Sequence, residues 1–317
     1  MDGNLGNRIK KNKAVITGVS SFVGMHLARI FSDANWEVMA IITKPLNSYT
    51  GVRLKRLNVL RNNVNFITGD ILETNWLKKI VGAFQPNIWI HHVGYTENYS
   101  SQNYNLQKSL AINVLSLEPL YQQLMGGKCG VIITGSSMEY SICDVANKEN
   151  DTCWPKTSYG VSKLAQTIEA RRLAVQYEVP TRVARLYIPV GTLDSHGKLI
   201  GSVMKALRQN KRVNLSACNQ KRDFLGVNDI GDAYIKLAED FPRKNFDIFN
   251  ICSGEAISLK DFLMLLCNIT KTNKIFLDFG AQDMRVGEPL VSYGDNTKAR
   301  LLLDWHPGSL NEALKFL

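Results

Sequence analysis

The stretch SYGVSK places Tyr159 and Lys163 four residues apart, at the start of a segment, YGVSKLAQTIEARRLAVQY, that reads as a helix. On a helix, residues i and i+4 share a face one turn apart. A phenol with its ordinary pKa of about 10 is a poor proton shuttle at neutral pH. A lysine ammonium beside it stabilises the phenolate and draws that pKa down. The third member expected of such a site is a hydroxyl at the end of the fifth strand, here Ser136 in GSSMEY. Tyr-x-x-x-Lys recurs by chance; a serine-ended strand before it and a phosphate loop earlier still make the order specific.

The elements that must position these groups are legible as apolar runs. AVITG, EVMAII, VNFITG, IWIHHV, GVIITG, TRVARLYI and FDIFNI each suit a buried parallel strand. Between the early ones lie helical patterns: FVGMHLARIFSDA, NWLKKIVGAF and LAINVLSLEPLYQQLM. Strand alternating with helix predicts an α/β fold with a doubly wound parallel (Rossmann) sheet. After residue 188 the regularity weakens. The expected organisation is a dinucleotide-binding domain over 11–188, completed by about 226–252, and a smaller discontinuous lobe from 189–225 and 253–317.

The first strand runs into TGVSSFVGMHLA. A glycine-bearing turn between first strand and first helix lets backbone N–H groups and the helix N-terminus hold a pyrophosphate. Gly18, Ser20, Ser21, Phe22, Val23 and Gly24 are the candidate cofactor contacts. Ser21 stands at the middle position, where its Cβ would crowd a close approach but its hydroxyl can donate to a phosphate oxygen. The second strand ends in Thr43 and Lys44, followed by Arg53 and Lys55, with no acid for a ribose 2′-hydroxyl. NADP is therefore expected over NAD.

Composition sets the outer bounds. The chain has 317 residues, 45% apolar and 21% charged, an ordinary globular balance. No apolar run approaches a bilayer span and MDGNLGNRIKKNK lacks the stretch of a signal peptide, so a cytoplasmic protein with no membrane partner is expected. The six cysteines form no CxxC pair, which predicts free thiols. The net charge of +10 is dispersed, with short clusters such as RIKKNK and RLKRL read as solvated surface rather than a nucleic-acid site. The histidines (His26, His91, His92, His196, His306) show no metal-ligand spacing, and no metal is expected.

Taken together these motifs resemble the extended short-chain dehydrogenase/reductase family of nucleotide-sugar epimerases, dehydratases and reductases, from about residue 13 onward. The loop is similar to that family's TGxxGxxG. Asn113 matches a structural helix asparagine, KRDFLGVNDIGDAY its RRDFxxVxDxxxAY, and FNICSGEAISLKDFL its YNxxSGxxxSxxEL. MRVGEPLVSYGDNTKARLLLDWHP matches the closing segment. GSSMEYS and the C-terminal segments most resemble the branch of GDP-4-keto-6-deoxy-D-mannose reductases. The resemblance implies that Ser136 and Tyr159 hold a substrate carbonyl, with Tyr159 as proton donor and Lys163 on the nicotinamide ribose. It places Asp70, with Ile71, at the adenine edge, and Ser137 and Met138 beside the sugar. Arg222 and Arg285 would clamp the diphosphate of a nucleotide sugar, a task suited to forked guanidinium groups. His91 and His92 would line the cofactor cleft at an HxAA-like turn. RLYIPVG departs from the family's RPxNxxGP: Ile188 replaces a polar contact. A homodimer through the helices after the fourth and fifth strands is also implied.

Met138 sharpens the reading. Resembling dehydratases carry a glutamate there and resembling GDP-fucose synthases a cysteine, each needed where a proton leaves carbon. A thioether cannot accept that proton, while it can pack against a sugar. Glu139, next along, should face the other way. The expected activity is NADPH-dependent reduction of the C4 ketone of a nucleotide-linked 4-keto-6-deoxy sugar. The alternatives are a 4-epimerase that retains NAD and a non-catalytic nucleotide sensor.

Overall fold

The computed structural model describes residues 11–195, 197–241, 246–285 and 287–317; His196 and the first three residues of RIKKNK lie outside them. Strands β1 (Lys13–Ile16), β2 (Glu37–Ile42), β3 (Asn65–Thr68), β4 (Ile88–His91), β5 (Gly130–Ser136) and β6 (Thr181–Leu186) join the late strand Phe246–Ile251 in a single seven-stranded sheet. Every pairing is parallel, in the order Phe246–Ile251, β6, β5, β4, β1, β2, β3. These are the seven apolar runs of the sequence. The order reverses between β4 and β1, the switch point at whose carboxyl end such sheets bind ligands.

Alternation along β1 sends Ala14 and Ile16 to one face and Val15 to the other. The first face packs on α1 (Phe22–Asp33), α2 (Gly51–Leu60) and the helix Val227–Glu239. The second packs on α3 (Thr74–Phe84), on α5 (Leu117–Leu124) and on α6 (Ser158–Gln176). Before α5 the chain does not run as the single helix that LAINVLSLEPLYQQLM suggests. A short α4 (Leu106–Leu110) passes into a π-helical turn, Ala111–Leu115. Pro119 has no N–H for the Leu115 carbonyl, so a regular helix cannot cross that point. The widened turn presents Asn113, wholly buried, to both neighbours: its Oδ1 accepts from Tyr95 N at 3.0 Å and its Nδ2 donates to Ser162 Oγ at 3.0 Å.

A third apolar cluster gathers Val190, Val203, Leu207, Leu215, Phe224, Phe262, Leu266, Leu277 and Leu314 away from the sheet. Its centre is Phe224 stacked on Phe262, with ring centroids 3.9 Å apart. Short strands lace it together: Ile188–Val190 with Phe224–Gly226, Val213–Leu215 with Leu277–Phe279, and Lys221–Arg222 between Ile257–Ser258 and Val291–Ser292. Ala299, Leu303 and Trp305 return to the first sheet face. Among the described residues no helix is long and apolar enough to cross a membrane.

Candidate active site

The turn after β1 is built on two glycines with distinct reasons. Gly18 takes φ +72°, the left-handed region. A Cβ on Gly24 would lie 2.3 Å from the Gly18 carbonyl oxygen, so helix and turn can meet this closely only with glycine there. Ser21 takes an ordinary φ of −78° and caps α1, its Oγ accepting from Gly24 N at 3.1 Å. Serine is thus admissible where the middle glycine is usual. Phe22 and Val23 turn their side chains into the core and can offer only backbone groups to a ligand. Beneath the loop, Thr17 Oγ1 accepts from the N–H groups of His92 at 2.9 Å and Val93 at 3.0 Å.

At the far end of the cleft Thr43 and Lys44 are exposed, Thr43 N donating to Tyr49 Oη at 3.2 Å. Asp70 folds back on its own turn, accepting from Leu72 N at 3.0 Å, and Ile71 is buried. Arg56 corrects the reading of RLKRL as solvated surface, because it is only 3% exposed. It donates to the Ser20 carbonyl at 3.2 Å, twice to the Leu193 carbonyl at 2.9 and 2.7 Å, and to Ser195 Oγ at 3.0 Å. Sequence reasoning passed over it because a basic run with no clear apolar stripe looks like a wet face until its partners, far along the chain, are known.

Thr157 caps α6 through Gly160 N at 3.0 Å and so sets Tyr159 in its first turn. Ser136 closes β5 and is 8% exposed. Burial pushes the Tyr159 phenol up, a hydrogen bond with Ser136 pulls it down, and Tyr104, Glu139 and Tyr99 add to the rise. Tyr99 and Tyr104 meet the ring edge-on, with centroids at 5.5 and 5.9 Å. Lys163 turns its ammonium onto the Thr134 carbonyl at 2.5 Å and onto Gln166 Oε1, and burial lowers it to about 8 against the opposing pull of Glu139. The lowering of Tyr159 expected from its lysine is therefore not found: the phenol is raised, because desolvation prevails while the ammonium is directed elsewhere. Among the described residues His91, 1% exposed, has no partner for either ring nitrogen, nor has Gln166 Nε2.

β5 ends at Ser136, and Ser137–Glu139 form a 3₁₀ turn rather than further strand. Met138 is half-buried and, with Ser137, lines a small cavity of about 120 Å³ against Gly287, Pro289, Val291 and Ser292. Glu139 does face away from it, wholly buried, but through a capping box: its Oε1 accepts from Ser136 N at 2.8 Å. Its Oε2 accepts from Thr167 Oγ1 at 2.8 Å and from Arg185 Nε at 2.9 Å. Arg222 is paired with Glu288 at 2.8 Å. Arg285 is exposed, its backbone turning so that Glu288 N bonds the Arg285 carbonyl at 3.2 Å, and its charge acts on half-buried Tyr99. The six cysteines are free thiols, and among the described residues no group of three His, Cys, Asp or Glu is placed to hold a metal.

This assembly of a parallel-sheet switch point, a glycine-tight first turn and Ser136, Tyr159 and Lys163 at the carboxyl edge agrees with sequence comparison. Residues 14–252 match the NAD-dependent epimerase/dehydratase family. The chain belongs to that family. Family members are NAD(P)-dependent enzymes, which removes the non-catalytic sensor from consideration. CDP-abequose synthase of Salmonella muenchen is 24% identical over 300 residues, covering 92% of each chain. GDP-6-deoxy-D-mannose reductase of Pseudomonas aeruginosa is 24% identical over 310 residues, covering 92% of this chain and 91% of its own. In three dimensions the chain is similar to UDP-glucuronic acid 4-epimerase of Bacillus cereus in complex with UDP-glucuronic acid and NAD, with a TM-score of 0.82 at 22% identity, covering 96% and 97% of the two chains.

His91, buried, and His92, half-buried, make the fold acid-sensitive. Burial, reinforced by Lys163, lowers both His91 and His92 to about 3. Unfolded, each protonates near 6.5. Unfolding therefore takes up protons between those values: the contribution is complete above pH 6.5 and is lost as pH falls towards 3. Acid titration followed by tryptophan fluorescence should show His91→Leu unfolding at lower pH and less steeply than wild type; an unchanged or steeper transition would contradict this account.

Proposed function

We propose that this enzyme reduces the C4 ketone of a nucleotide-linked 4-keto-6-deoxy sugar with NADPH. The observation that carries the reading is the turn after β5. Ser136 before it and Tyr159 on α6 are available for a carbonyl oxygen, but the turn offers no base for a neighbouring carbon. Met138 has only a thioether, and both oxygens of Glu139 are bound, to Ser136 N, Thr167 and Arg185. Bound in the cleft, the nicotinamide cofactor supplies the hydride. Ser136 and Tyr159 orient the ketone, and the phenol, held neutral by burial, keeps a proton to give to the developing alkoxide. Lys163, already facing the sheet edge, donates to the nicotinamide ribose.

Gly18, Ser20, Ser21, Phe22, Val23 and Gly24 hold the pyrophosphate, with Asp70 and Ile71 at the adenine. Exposed Thr43 and Lys44, with no carboxylate following β2, favour the 2′-phosphate of NADP. Arg222 and Arg285 serve the substrate diphosphate, and Ser137 and Met138 wall the sugar. The lobe built from 189–225 and 253–317 binds the nucleotide sugar over the dinucleotide-binding domain of 11–188 and about 226–252; the third apolar cluster falls within those lobe segments. The sequence resemblance and the GDP-6-deoxy-D-mannose reductase relative support a guanine base. A dTDP-4-dehydro-6-deoxyglucose reductase of Escherichia coli, 25% identical over 266 residues, supports the reaction class with another base. Unpaired thiols fit a cytoplasmic setting. Retained-NAD 4-epimerisation is the second reading, because it too needs no base beside the carbonyl.

The exposed apolar residues Val161, Ile168 and Val175, spaced by seven on α6, support a homodimer through this helix and the one before it.

Purified enzyme should oxidise NADPH stoichiometrically with a 4-keto-6-deoxy sugar nucleotide, offered in turn with GDP, CDP and dTDP. Co-purifying NAD and turnover without added NADPH would replace the reductase by the epimerase. Tyr159→Phe should lower turnover by about 10²–10⁴; unchanged turnover would remove the phenol from the mechanism. In deuterated water with unlabelled NADPH, C3 and C5 of the sugar should stay free of deuterium, and enzyme-dependent incorporation at either carbon would reject the assignment of Met138. Light scattering at micromolar concentration should give the mass of a dimer, with Ile168→Glu shifting it towards monomer; wild-type monomer alone would reject the interface.

A further inference from the structure

A chain of hydrogen bonds runs from the helix Val227–Glu239 to the turn after β1. Tyr234 Oη lies 2.7 Å from Thr134 Oγ1, which lies 2.9 Å from His92 Nδ1. His92 Nε2 in turn lies 3.0 Å from Ser21 Oγ, and that oxygen accepts from Gly24 N at 3.1 Å. Each hydroxyl has one proton, and an arrangement in which Thr134 accepts from both neighbours would leave its own buried proton with no acceptor among the described residues, so the chain has two consistent directions.

Its buried end chooses between them. Tyr234 is 0% exposed, and among the described residues Thr134 Oγ1 is the partner its phenol has. If the order ran from Ser21 towards Tyr234, Thr134 would donate to the phenol oxygen. The phenol proton would then be buried with no acceptor, a costly omission. Run the other way, Tyr234 donates to Thr134, Thr134 donates to His92 Nδ1, and His92 Nε2–H donates to Ser21 Oγ. His92 must be neutral for this, which agrees with its value of about 3.

Ser21 Oγ then accepts two hydrogen bonds, from Gly24 N and His92, and its own proton remains unassigned. We infer that Tyr234, Thr134 and His92 are positioning residues that fix the His92 tautomer and thereby commit the Ser21 hydroxyl to donate to a pyrophosphate oxygen of the cofactor. The inference rests on the dinucleotide reading of the first turn. It accounts for a serine at the middle position: a polarised O–H takes over from the close backbone approach that glycine allows.

The test reads tautomer and affinity separately. Histidine-¹⁵N spectra of the wild-type protein, with His92 assigned by comparison with His92→Gln, should show protonation on Nε2 and a bare Nδ1. NADPH titrations should give Tyr234→Phe a Kd roughly three- to tenfold above wild type. The same change in a Ser21→Ala background should add nothing, since the two act through a single proton. A wild-type His92 protonated on Nδ1, or wild-type NADPH affinity retained in Tyr234→Phe, would overturn the inference while leaving the cofactor reading intact. A wild-type protein that binds neither NADPH nor NADH would overturn the cofactor reading itself.

Discussion

Thr134, near the carboxyl end of β5, is where the two halves of the site are joined. Its carbonyl receives the Lys163 ammonium at 2.5 Å, and its hydroxyl stands between Tyr234 and His92. The backbone of this residue thus holds the lysine of α6 while its side chain reaches the turn that would hold phosphate. The contact with His92 requires β5 to lie beside β4 at a fixed register, in which Ile133 is partnered by His91. A slip of one residue would reverse which face each group occupies.

Around this point the sheet edge buries an unusual amount of ionisable chemistry and settles it in different ways. Glu139 and Arg185 are both essentially enclosed and satisfy one another, with Thr167 and Ser136 N completing the carboxylate. Such pairs lose their advantage when one partner is missing, because the other is left charged in a poor dielectric. Lys163 has no carboxylate in contact among the described residues and answers burial by a lowered pKa. His91 remains neutral and unbonded. That leaves Lys163 and His91 with unspent hydrogen-bonding capacity at the carboxyl end of the sheet.

What could be read from the chain follows the range of each interaction. The central strands were legible because strands covered on both faces are continuously apolar, and the half-buried edge strands β3 and Phe246–Ile251 still carry short apolar runs. Tyr159 and Lys163 were legible because an i, i+4 relation is local. The direction of the Lys163 ammonium was not, since Gln166 offers one local partner and a β5 carbonyl 29 residues away offers the other. α2 escaped because its charged sequence lacks a clear apolar stripe, and Arg56 with it. Glu139 shows a sound expectation reached by a different route: it avoids Met138, yet a capping turn rather than strand alternation turns it inward. The network through His92 had no sequence signature, since the imidazole meets partners 42 and 71 residues distant.

Arg56 carries a consequence for anyone who would redesign this protein. Its guanidinium stitches the basic segment after β2 to the Ser20 carbonyl and to the Leu193–Ser195 crossing, where Leu193 itself holds a left-handed φ of 63°. Under the proposed function the segment after β2 selects the coenzyme, and Arg56 ties it mechanically to the Leu193–Ser195 crossing proposed to border the substrate. Grafting a different 43–56 sequence to swap coenzymes would also unfasten that passage, so the grafted segment must keep an arginine at position 56 if changes in selectivity for one ligand are not to reappear as altered affinity for the other.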